Sequence, residues 1–104
     1  MILFRKDNHT PKELSAIVAP LAARCNVTSV SLFGSRATGD YQRDSDYDFL
    51  ITVNEHYDFH DYCRFVDGLE EALGKPVDVV NSSCLKDDGF ARRVKREAIH
   101  VYRC

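Results

Sequence analysis

The 104-residue chain has no apolar run approaching the roughly 20 residues that a membrane-crossing helix needs, so a transmembrane segment is not expected. Met1-Ile2-Leu3-Phe4 runs straight into charged residues and lacks the apolar middle and small-residue cleavage site of a signal peptide, so a cytoplasmic location is expected. There is no C-x-x-C pair. Cys25, Cys63, Cys84 and Cys104 are far apart, and the polar segments between them do not resemble a disulfide-stapled scaffold, so four reduced thiols are expected. Positive charge is not in excess: 14 Lys and Arg stand against 16 Asp and Glu, a formal net charge of −2, which argues against broad nucleic-acid binding through displaced counterions. Repeats and low-complexity tracts are also missing. What is present, 44% hydrophobic and 29% charged residues, fits one small globular domain over 1–104, too small to enclose a large substrate.

Periodicity lays out the elements. Thr10-Pro11-Lys12-Glu13 reads as a capping box with proline at the first helical position, opening a helix with apolar Leu14, Ile17, Val18 and Leu21. Pro20 should kink that helix or end its regular part, and Asn26 marks the exit. Strands are expected at about 27–33 and 46–53. A second helix runs from Asp58 to Leu73, with Phe59, Tyr62, Cys63, Val66, Leu69 and Leu73 as its apolar positions. Gly74-Lys75-Pro76 stops it and leads into a strand at 77–80, and Asn81-Ser82-Ser83 is a polar turn. Asp87 or Asp88 caps a short helix through Arg96, and Ala98 to Tyr102 forms an edge strand. The fold class is α/β (α+β), a small mixed sheet with helices packed on one face.

The chemistry concentrates between the first two strands, in Gly34-Ser35-Arg36-Ala37-Thr38-Gly39 and then Ser45-Asp46-Tyr47-Asp48. A glycine at the end of a strand lets the backbone turn sharply and approach a ligand that any Cβ would hold away. Ser35 to Thr38 could form one helical turn whose N–H groups face an anion, with the Ser35 hydroxyl as a further donor. Asp46 and Asp48, at i and i+2 of a strand, would leave the sheet on one face. Two carboxylates about 5 Å apart repel by roughly 3 kcal/mol at an effective dielectric near 20, a conflict that a divalent cation removes. Clustered carboxylate oxygens beside a triphosphate suit Mg²⁺ or Mn²⁺. Asp is disfavoured in strands, so two there, with Asp78 between Val77 and Val79 in a third, call for a reason beyond folding.

Gly-Ser, a few small residues, Gly, then Ser-Asp-x-Asp resembles the DNA polymerase β-type nucleotidyltransferase superfamily, and the compact length resembles its minimal nucleotidyltransferase (MNT) branch. The likeness spans about Val27 to Val80. It implies that Asp46, Asp48 and Asp78 are the catalytic and metal-binding acids, the third coming from a neighbouring strand. It implies a nucleotide site at Gly34 and Ser35, with Arg36 and Ser45 as further nucleotide-binding candidates; Ser45 alternatively orients the Asp46 region or caps the turn. Arg36 is either a phosphate or partner contact or a solvated surface residue. ATP is the implied substrate. Asp46 and Asp48 would hold a metal on the triphosphate, all three acids a second metal, and Asp78 would help to activate the attacking hydroxyl. The MNT branch resembles antitoxins paired with HEPN-domain ribonuclease toxins, which implies AMP transfer to a tyrosine of such a toxin within a hetero-oligomer.

Two other functions fit the same residues. One is nucleotidylation of a small hydroxylated molecule, although the relatives that do this carry an extra substrate domain. The other is a binding module that blocks its partner sterically, with the nucleotide site vestigial. Elsewhere, His56 and His60 stand at i, i+4 and could chelate a transition metal if helical, against the plainer reading of a solvated helix entrance. Arg92, Arg93, Lys95 and Arg96 form the one basic cluster, read as a helix C-terminus favoured by the macrodipole or as a docking patch for an acidic surface.

Overall fold

A computed structural model describes residues 9–42, 44–86 and 88–104. Helix α1 (Pro11–Arg24) starts at the expected capping box: the Glu13 N–H donates to Thr10 Oγ1 at 3.1 Å, and the Thr10 N–H donates to Glu13 Oε1 at 3.0 Å. Leu14, Val18 and Ala22 are fully buried, with Ile17 and Leu21 beside them. The helix does not end at Pro20 but runs through it to Arg24. Pro20 and Ala16 both lie at the exposed surface, so the carbonyl that loses its i+4 donor to proline is not stranded in the core. Asn26 makes the exit in a left-handed conformation, φ 60°.

Strand β1 (Val27–Phe33) leads into a single helical turn, α2 (Ser35–Thr38), and strand β2 (Tyr47–Val53) follows. Helix α3 (Phe59–Leu73) is capped by Asp58, whose carboxylate accepts from the Asp61 N–H at 2.8 Å, and ends on left-handed Gly74 at φ 71°. Its buried line is Asp61, Phe65, Leu69 and Leu73. The expected stripe is therefore rotated. Phe59 is 77% exposed, Tyr62, Cys63 and Val66 flank the core, and Phe65 is fully buried. Asp61 can open an inward line because the Asn26 amide donates to its carboxylate at 3.0 Å.

Strand β3 (Val77–Asn81), a 3-10 turn (Ser82–Cys84), helix α4 (Gly89–Glu97) and strand β4 (Ile99–Arg103) complete the chain. Asp88 caps α4, its carboxylate accepting from the Ala91 N–H at 2.9 Å; Asp87, the other candidate cap, lies outside the described residues. The sheet is mixed, in the order β3-β2-β1-β4, with β1 antiparallel to β2 and to β4, and β2 parallel to β3.

Register sorts the two faces. Leu32, Phe49 and Val79 align across three strands and are buried with α1 and α3, the helix-covered face that the sequence leads one to expect. Phe33, Asp48 and Asp78 align one position along and therefore lie on the opposite face. There the short α4 runs, with Phe90 edge-on to Phe33 at 6.3 Å between centroids. Among the described residues no helix is long and apolar enough to cross a membrane, and Cys25, Cys63, Cys84 and Cys104 are all free.

Candidate active site

The site is assembled where β1 ends. Gly34 takes φ 75° and ψ −159°, and a Cβ built on it would collide with the Asp48 carboxylate. Only glycine fits that approach. The Gly34 carbonyl accepts from the Ala37 and Thr38 N–H groups at 3.0 and 3.1 Å, which closes the expected helical turn. The first N–H groups of any helix have no intrahelical acceptor and suit an anion.

β2 places Asp48 opposite Phe33 of β1 on one side and Asp78 of β3 on the other. Burial, and then the charges of Asp78 and Asp46, push the Asp48 carboxyl above its ordinary pKa. Asp46 is exposed and lies one residue before the strand rather than within it. A cleft of about 290 Å³ brings Gly34, Asp48 and Asp78 together with Phe33, Val80 and the α4 residues Phe90, Arg93, Val94 and Glu97. Ser35, Ser45 and Asp46 do not line it.

Arg36 differs most from expectation. It is neither solvated nor at the surface: at 3% exposure, its Nε and Nη2 donate to the Ser45 carbonyl at 3.2 and 2.9 Å. The guanidinium lies over the rings of Tyr41 and Tyr47, 4.6 and 4.7 Å from their centroids. An arginine so engaged ties α2 to the loop that carries Asp46, and Ser45 Oγ closes the loop by accepting from the Gln42 N–H at 2.7 Å.

The residues suit a hard divalent cation. The donors are all carboxylate oxygens, and Asp48, raised in pKa first by burial and then by the charges of Asp78 and Asp46, is a carboxylate whose ionised form a cation would favour. Among the described residues, the only three side chains whose ligand atoms all lie within 4.8 Å of one another are Asp58, His60 and Asp61. Asp58 and Asp61 are occupied there in capping α3 and receiving Asn26. His56 is outside the helix, 3.7 Å from Glu55, so the i, i+4 histidine pair does not form.

A family model described as polymerase beta, nucleotidyltransferase, matches residues 16–103. The chain belongs to this nucleotidyltransferase family. It is 33% identical over 93 residues to the Methanocaldococcus jannaschii protein named "Putative protein adenylyltransferase MJ0435", covering 86% of this chain and 95% of that one. A second protein of that organism with the same kind of name, MJ1379, is 28% identical over 83 residues, 78% of this chain and 83% of the relative. A solved structure described as a "putative minimal nucleotidyltransferase" superposes with a TM-score of 0.72 at 36% identity, covering 82% and 86% of the two chains. The fold is shared with a chain of a Shewanella oneidensis complex between a tri-AMPylated HEPN toxin and its MNT antitoxin, with a TM-score of 0.65 at 15% identity over 91% and 74%.

In this nucleotidyltransferase, sequence reasoning missed the α4 wall. The signal was available, since Phe90, Arg93, Val94 and Glu97 recur at helical spacing, with Arg93 belonging also to the basic cluster. Arg92, Lys95 and Arg96 of that cluster are exposed and do not line the cleft.

Proposed function

We propose that the chain transfers AMP from ATP, with a divalent cation such as Mg²⁺ or Mn²⁺, to a hydroxyl of a protein partner, and that the partner is a HEPN-domain toxin modified on tyrosine. The observation that carries this reading is the meeting of Gly34, Asp48 and Asp78 in one cleft, where Asp48 is paired with Asp78 across the parallel strands. The adenylyltransferase names of the Methanocaldococcus relatives support the reaction. The fold shared with MNT antitoxins supports the partner.

Asp46, Asp48 and Asp78 would hold the cation, which when bound supplies positive charge against the triphosphate and the entering and leaving oxygens. Gly34, whose missing side chain lets the Asp48 carboxylate stand against the backbone, would let a phosphate come close to the α2 turn in the same way. Asp78, exposed on β3 at the cleft, accepts the proton of the acceptor hydroxyl through its carboxylate. The hydroxyl oxygen bonds to the α-phosphorus as the bond to the bridging oxygen breaks, and pyrophosphate leaves. Arg36 and Ser45 act by holding the Asp46 loop. Positioning and charge supply the catalysis, so an isosteric amide at Asp46 should abolish turnover and spare the fold.

The test is intact mass spectrometry of a HEPN protein encoded beside this chain's gene, incubated with this chain, ATP and Mg²⁺. Addition of one or more AMP units, lost with Asp46→Asn, is the expected result. Tight association without added mass would instead assign steric inhibition.

A further inference from the structure

Helix α4 turns one face to the cleft. Phe90, Arg93, Val94 and Glu97 recur at three- and four-residue spacing and line it together. Among the described residues lining the cleft, Arg93 is the only cation, whereas Asp48, Asp78 and Glu97 are all acidic. The cleft's own charge therefore opposes a polyanionic ligand, and one guanidinium stands against it.

That guanidinium is held lightly. Arg93 Nε lies 3.4 Å from Glu97 Oε1, long for a charge-assisted hydrogen bond, and the Arg93 side chain is 70% exposed. An i, i+4 pair this solvated contributes little and exchanges readily for a stronger acceptor. A phosphate is such an acceptor, since its oxygens match the planar fork of arginine. Glu97 is only 22% exposed and lies one turn further along the same face, so it keeps the guanidinium over the cleft.

We propose that Arg93 binds a phosphate group of the nucleotide, reaching it from α4 while Gly34 and Asp48 approach it from the sheet, and that Glu97 holds the guanidinium in place until the nucleotide arrives. This rests on the cleft being the nucleotide site. Arg93 is then a substrate-binding residue and Glu97 a positioning one.

Calorimetric titration with ATP and with adenosine, in the presence of Mg²⁺, tests it on the wild type and on Arg93→Ala, Arg93→Lys and Glu97→Gln. Arg93→Ala should weaken ATP at least tenfold while leaving adenosine unchanged, and Arg93→Lys should recover part of the loss. Glu97→Gln should weaken ATP severalfold and leave adenosine unchanged, because the charge that holds the guanidinium over the cleft is gone; ATP binding as tight as wild type or tighter overturns the positioning role of Glu97. Arg93→Gln, which keeps much of the aliphatic stem, reads the same quantity if the alanine variant loses structure. ATP affinity within twofold of wild type in the Arg93 variants, or equal losses for ATP and adenosine, overturns the role of Arg93 alone. A wild-type chain that binds neither ligand overturns this role together with the reading of the cleft.

Discussion

Asp48 meets two opposed demands. Its folded-state pKa is raised by burial, by Asp78 and by Asp46. A carboxyl shifted upward on folding contributes stability that is complete below its unfolded pKa and is lost as pH rises through the folded one. At neutral pH its ionised form therefore works against the fold. Asp48→Asn should melt at or slightly above the wild-type temperature while losing transfer, with the difference closing as the pH is lowered into the acid range. A clear drop in melting temperature at pH 7 would make the carboxylate a structural group instead. At Gly34, valine meets both the φ of 75° and the Asp48 carboxylate, so Gly34→Val should cost about 1–3 kcal/mol and weaken ATP binding; unchanged affinity by titration would refute the phosphate cradle. Arg36 is different in kind. Removing a buried guanidinium that donates twice to the Ser45 carbonyl and lies between two rings should cost about 2–4 kcal/mol in denaturant unfolding. Arg36→Lys should not rescue it, because an ammonium reproduces neither the fork nor the stacking. The sequence marked Gly34 and the aspartates through residue type and spacing. It left Arg36 open because nothing in a linear motif says which side of a turn will be covered by Tyr41 and Tyr47.

At the scale of elements, local signals set the boundaries well. Thr10, Asp58 and Asp88 each cap a helix through side-chain and backbone atoms three residues apart, and such short-range chemistry is readable in order along the chain. The face of α3 was less legible. Several apolar residues compete for its inward line, and the line through Asp61 and Phe65 is accompanied by a hydrogen bond that the Asn26 amide, from another part of the chain, donates to the Asp61 carboxylate. Gly68 was unremarked in the sequence, yet a Cβ there would stand 2.7 Å from Leu21 Cδ2, so it allows the close approach of α1 and α3. Pro20 shows propensity yielding to tertiary packing, since the buried line Leu14, Val18 and Ala22 holds the helix on the sheet across it. Pro20→Ala should restore a donor to the Ala16 carbonyl and stabilise the protein by about 1–3 kcal/mol in urea unfolding. No gain would show that the surrounding structure already compensates for the proline.

For the whole molecule, the sheet divides the work. One face and the two long helices bury the main core, and the other face with α4 leaves a cleft at the ends of β1, β2 and β3. Because the cleft depends on folded geometry, ATP with Mg²⁺ should bind the native state only and raise its melting temperature. At a hundredfold excess over the dissociation constant the gain is about 2.7 kcal/mol, on the order of 10 °C for a domain of this size. No shift at millimolar ligand, measured by differential scanning fluorimetry, would count against a preformed site. The sequence alone set out the strands, the helices and the glycine turn, because each rests on periodicity or on contacts a few residues apart, and it singled out Asp46, Asp48 and Asp78 as candidates by residue type. Only the tertiary structure decided that Asp48 and Asp78 stand side by side, since parallel pairing of β2 with β3 joins residues separated by a whole helix. It also decided that Arg36 is interior and that Arg93 and Glu97 reach the cleft. Burial and electrostatic neighbourhood are properties of what the rest of the chain brings near a residue, and they become definite only when the sheet has closed its register and α4 has crossed its open face.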